Sequence, residues 1–247
     1  MAVNSKIMPA QSVHAFAEKV ALITDGASPI GRAVALQLAL QGCFVIVGFS
    51  RISEENQRTL NELQNLGTLA SAVEADISTV EGAKKLVGEV EKMFGRLDLL
   101  VNCLNIHSDS AFEEVTEVIY TQTFDANLKA AFFVTQEAVR LMKTRPKPKI
   151  VNVASAVDTP ETEANVLLAS SQNALIGLTK SLAVGLPKNF RVNAVAVSEK
   201  QSELKDNLDA ELFRPKKGIS EDDAARTIVY LLSSESIALN GQILRIA

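Results

Sequence analysis

Short apolar runs rich in β-branched residues alternate along the chain with longer segments of helical period, beginning at Lys19. VALIT at 20–24 leads into a helix through about Gln41, and CFVIVGF at 43–49 leads into a polar helix through Leu66. Further strand runs lie at 69–76, 97–103, 148–155, 191–197 and 241–246, with helical patterns near 79–94, 112–143, 162–185 and 220–233. Apolar runs without polar alternation suit a parallel sheet covered on both faces, and strand–helix alternation marks βαβ units. The pattern predicts a single α/β domain over 19–247, a doubly wound parallel sheet of about seven strands flanked by six helices, with 1–18 as an N-terminal extension. The segment 112–143 is too long for an ordinary helix, so a break is expected near Thr123 to Ala126. Its charges and Pro215 make 199–218 an irregular or partly helical connection.

Composition narrows the function classes. A chain of 247 residues that is 47% hydrophobic has material for one sizeable core. The net charge is −4, and the cations are scattered apart from the cluster Lys143 to Lys149, which includes Arg145 and Lys147, so no nucleic-acid partner is expected. Cys43 and Cys103 stand in apolar strand contexts without CxxC spacing and read as small core residues of a reducing compartment. No run approaches the ~20 apolar residues of a membrane span, so a cytoplasmic protein without a membrane partner is expected.

After the first strand comes Thr24-Asp25-Gly26-Ala27-Ser28-Pro29-Ile30-Gly31-Arg32, opening directly into a helix. Such a turn aims helix N-terminal N–H groups at a pyrophosphate. Together with Leu99-Leu100-Val101-Asn102, Asn127-Leu128-Lys129, Ile150 to Ser155 and Leu175 to Ser181, this loop resembles the short-chain dehydrogenase/reductases, nearest to their 3-oxoacyl-(acyl-carrier-protein) reductase branch. The resemblance runs from about Lys19 to Ile246. It implies a Rossmann-like fold and cofactor-binding positions at Gly26, Ser28, Ile30, Gly31, Arg51, Asp76 and Asn102.

The loop departs from the family pattern. Thr24, Ile30 and Gly31 match, but the family's first glycine falls on Asp25 and its middle one on Pro29. Gly26 takes over the tight turn if the loop is one residue shorter. An ionised Asp25 about 5 Å from a phosphate charge would be repelled by roughly 3 kcal/mol at an effective dielectric near 20. The cofactor site is therefore read as weak or lost, with NADP(H) the cofactor if one binds, because Arg51 stands where a carboxylate would select NAD. Asp76 is either an adenine contact or the cap of the next helix. After the fourth strand, Asn102-Cys103-Leu104-Asn105 keeps the family's first Asn and lacks its glycine.

In the family, a Tyr phenol protonates the substrate carbonyl, a Lys one helical turn later lowers the phenol pKa, and a Ser and an Asn complete the site. The Ser and Asn positions are Ser155 and Asn127. Counting 13 residues on from Ser155 and seven back from Leu175 both put the Tyr position at Leu168, and the Lys position is then Gln172. Leucine has no proton to give and glutamine no cation, and loss of a positioned general acid costs roughly 10² to 10⁴-fold in rate. Neither tyrosine of the chain, Tyr120 or Tyr230, lies on the catalytic helix, and Lys180 is about 12 Å further along it. His107 is the titratable candidate near the cleft. Asn127 and Ser155 also have structural readings, as a helix-bulge amide holding backbone groups and as a small strand-end residue.

The resemblance with these losses implies a non-catalytic binding or partner subunit. Two alternatives stand beside it, an NADP-dependent carbonyl or 3-oxoacyl reductase with an unorthodox proton donor and a nucleotide or small-ligand sensor. A homo-oligomer, or a hetero-oligomer with a homologue of the same family, is expected through the two long helices near 124–143 and 162–185. Phe132, Phe133, Val134, Leu167, Leu168, Ile176 and Leu182 would supply its apolar faces.

Overall fold

The computed structural model describes residues 15–51, 53–104, 106, 110–156, 165–198 and 220–246. The elements are β1 (Val20–Thr24), α1 (Pro29–Leu40), β2 (Phe44–Phe49), α2 (Glu54–Asn65), β3 (Ala70–Glu74), α3 (Val80–Phe94) and β4 (Leu99–Asn102). There follow α4 (Glu117–Phe124), α5 (Ala130–Met142), β5 (Lys149–Ser155), α6 (Val166–Gly185), β6 (Arg191–Val197), α7 (Glu221–Leu232) and β7 (Ile243–Ile246). All strand pairs are parallel, in the order β3-β2-β1-β4-β5-β6-β7. The order reverses between β1 and β4, and in open α/β sheets the crevice at the carboxyl ends of such strands is where ligands bind.

The expected strands are all present, β1 and β6 with their expected bounds and the others trimmed by a residue or more where loop backbone takes over. Side-chain alternation within β1 divides the core: Ala21 and Ile23 face a layer containing Val34, Leu38 and Ile228 of α1 and α7, whereas Val20 and Leu22 face Leu86, Val90 and Val134 of α3 and α5. Six helix N-termini are capped by Ser28, Ser53, Thr79, Thr116, Asn165 and Ser220, each accepting a backbone N–H.

Three local features bear on the sequence reading. The 112–143 segment is interrupted at about the expected place: Asp125–Lys129 form a π turn that follows α4 and leads into α5. The cation cluster 143–149 is not all surface: Lys149 is buried in β5, and its Nζ donates to Ser236 Oγ at 3.0 Å and to the carbonyls of Leu231 and Ser233 at the end of α7. Those carbonyls, which also accept from Ser236 Oγ, are the acceptors of a helix C-terminus, which is what draws the ammonium inward. Val134, Leu167 and Leu168 are buried within the chain and cannot form an outer apolar face, which leaves Phe132, Phe133, Ile176 and Leu182 with exposed surface. The connection 199–218 lies outside the described residues.

Candidate functional site

The crevice opens where β1 ends. Asp25 follows β1 with φ 49, in the left-handed region, and makes the turn that Gly26 was expected to take over. Gly26 serves close approach instead: its N–H donates to Gly48 O at 3.3 Å, and a Cβ there would collide with Val47. Gly31 is equally constrained, since a Cβ would overlap Asp25 O and press on Ser28 Oγ. Ile30 is partly buried against the α1 core layer.

The helix end facing the crevice is engaged with its own loop. Ser28 Oγ accepts the Gly31 N–H at 3.2 Å and donates to Asp25 O at 2.7 Å, and Pro29, the first helical residue, has no N–H. Burial pushes the Asp25 carboxyl pKa up, and Glu55 at the start of α2 adds to the rise. A pyrophosphate bound at this helix end would lie beside the Asp25 carboxyl and would find the Gly31 N–H already engaged.

Other expected cofactor positions are placed differently. Arg51 is exposed just beyond β2, and its carbonyl accepts Asn56 Nδ2 at 2.6 Å. Asp76 is not the cap of α3; Thr79 is, accepting Gly82 N–H at 3.0 Å, while Asp76 Oδ1 accepts from the Ser78 N–H and hydroxyl at 3.1 and 2.6 Å. Asn102 turns into a buried chain in which its Nδ2 donates to Thr135 Oγ1 and Asn152 Oδ1 at 3.1 and 2.8 Å. Asn152 Nδ2 then donates to Thr179 Oγ1 at 2.9 Å, and Thr179 to Leu175 O. That chain ties β4 and β5 to α5 and α6, a structural task that a strand-end motif does not reveal.

The residues at the family's catalytic positions are brought together at the ends of β5, the π turn and α6. Asn127, fully buried in the π turn, accepts Ile106 N–H at 2.8 Å and donates to Ile106 O at 3.0 Å and to Ser171 Oγ at 3.0 Å. It holds backbone beyond β4, as its structural reading expected. Ser155 ends β5, and its N–H donates to Gln172 Oε1 at 3.0 Å. Gln172 is fully buried, and Leu168, in the first turn of α6, is 3% exposed with its N–H on Asn165 Oδ1. Ser171 is the joint between Asn127 and Leu168 O, accepting from Asn127 Nδ2 and donating to the carbonyl. Tyr120 is exposed and stacked on Phe124, and Tyr230 is exposed on α7. His107 lies outside the described residues. Among the described residues, no group of three or more metal-ligating side chains occurs.

A seven-stranded doubly wound parallel sheet with a glycine-bearing strand-to-helix loop defines a dinucleotide-fold α/β protein. The sequence model of the short chain dehydrogenase family matches residues 19–212, and the chain belongs to that family. It is 30% identical over 236 residues to 3-oxoacyl-[acyl-carrier-protein] reductase FabG of Staphylococcus aureus, covering 92% of this chain and 96% of that one. It is 31% identical over 253 residues to hydroxynaphthalene reductase-like protein Arp2 of Metarhizium acridum, covering 94% of each. Among solved structures, a short chain dehydrogenase from Burkholderia cenocepacia in complex with NADP superposes with TM-score 0.82 at 28% identity, covering 95% of this chain and 97% of that one.

Proposed function

We propose that this family member acts as a non-catalytic binding or partner subunit. The observation that carries the reading is the Gln172 amide bound to the Ser155 N–H at 3.0 Å, one helical turn beyond the buried Leu168. By the family's spacing these are the positions of the proton donor and its cation, and both here are neutral and engaged in packing. Phe132, Phe133, Ile176 and Leu182 on α5 and α6 offer the apolar surface for association with a second copy or a homologue, at a cytoplasmic location. Steady-state assays with NADPH or NADH and a panel of ketones and acyl thioesters should give no turnover above background. Steady consumption of NADPH would overturn the reading, and a size measurement giving only monomers at high concentration would remove the partner role.

A second reading has support from the relatives. One is named a 3-oxoacyl-[acyl-carrier-protein] reductase and one solved neighbour holds NADP, which favours an NADP-dependent oxidoreductase of the carbonyl or 3-oxoacyl type. Its proton donor would be His107 or water. NADPH consumption that disappears in His107→Ala would decide for it.

A further inference from the structure

We propose that Asp25 is a specificity-determining residue whose carboxylate closes the crevice to phosphorylated nucleotides and reserves it for ligands without phosphate. The proposal deepens the non-catalytic reading and rests on it. Asp25 occupies the one left-handed position of the β1–α1 loop, φ 49, so the backbone turn holds this residue in the crevice between the ends of β1, β2 and β4. Its neighbours are Glu55 at the start of α2, which adds to the burial that raises the Asp25 pKa, and the Cys103 thiol just beyond β4, pushed up chiefly by burial and then by Asp25.

Among the described residues of α1 and the end of β2, no free cation offsets that charge. Arg32 in the first turn of α1 is paired with Glu62 of α2, and Arg51 is exposed beyond β2. The donors that would greet a phosphate are reduced, Gly31 N–H being bound to Ser28 Oγ and Pro29 having none, so that Ile30 supplies the N–H left in the first turn. The local balance is therefore anionic, with Asp25 and Glu55 unmatched by a free cation on α1. A left-handed residue is readily replaced by glycine or asparagine, so the charge can be removed without refolding the turn.

The test is a fluorescence titration of the full chain with NADPH, for wild type, Asp25→Asn, Asp25→Gly and, as a further variant, Ser28→Ala, with thermal melts confirming that each is folded. Removing the carboxylate should tighten NADPH binding about a hundredfold in both Asp25 variants, from a wild-type value in the millimolar range. Micromolar binding by wild type overturns the proposal, as does an Asp25→Asn affinity equal to wild type. Tightening in Asp25→Gly alone would mean that bulk, not charge, closes the loop, and would overturn it as well. Wild-type binding without turnover would sink the proposal and leave the non-catalytic reading standing, whereas turnover by wild type would sink that reading.

Discussion

The Ser155 backbone N–H and Gln172 Oε1 meet at 3.0 Å, joining the end of β5 to the second turn of α6 across 17 residues of sequence. Both groups are buried, so the bond is formed away from competing water. Gln172→Ala leaves the Ser155 donor without its acceptor and should destabilise the chain by about 1–3 kcal/mol, read from urea denaturation midpoints. Gln172→Lys should cost more than Gln172→Ala, because it removes the acceptor and also buries an ammonium. Equal stability of wild type and Gln172→Lys would mean that the site still accommodates a cation, which would weaken the non-catalytic reading.

Asn127 satisfies both backbone groups of Ile106 and reaches Ser171. Asn127→Ala should therefore cost roughly 2 kcal/mol or more. Asn127→Asp keeps an acceptor for the Ile106 N–H but sets a carboxylate oxygen against Ile106 O. Its deficit should grow as pH rises through the carboxyl's titration, and a deficit independent of pH would contradict the assigned amide orientation.

Alkaline stability should follow three buried groups of opposite sign. Burial, with help from Lys19, Arg191 and Lys147, lowers the Lys149 pKa from 10.5 to about 8. Between those values the unfolded chain holds a proton that the folded chain has released, so stability rises with pH from this group. Burial raises the Cys43 pKa from 9.0 to about 12 and pushes Cys103 up as well. Above 9.0 the folded chain retains protons that the unfolded chain loses, so the cysteines' contribution falls. Midpoints should rise from pH 8 to 9 and decline beyond, by about 1 kcal/mol per pH unit once two thiols outweigh one amine. Lys149→Met should abolish the rise, and a wild-type curve that falls steadily from pH 8 would refute the assignment.

Asp25→Asn should raise the melting temperature at pH 7. The folded-state pKa of Asp25 lies above its ordinary 3.8, chiefly through burial and then Glu55. Its stabilising contribution is thus complete below 3.8 and is lost as pH rises through the folded value. The advantage of the Asn variant should vanish at acid pH, and a variant less stable than wild type at pH 7 would show that the carboxylate has a partner worth more than its burial costs.

Much of the architecture was legible in the sequence, because apolar periodicity is local. The unbroken run Val20–Thr24 announced a strand covered on both sides, and Arg191–Val197 appeared with its expected bounds. The identities of Leu168 and Gln172 were equally plain. Other features had no local signal. Asp25 rather than Gly26 takes the left-handed turn because Gly26 is pressed against Val47 of the neighbouring strand. Lys149 is buried because β5 runs beneath the end of α7, which follows it by more than 70 residues. Asn102 serves the core because β4 lies beside β5 and under α5. Periodicity along the chain determined which segments are strands and helices; the strand order, which sets residues far apart in sequence against one another, decided which polar groups are engaged.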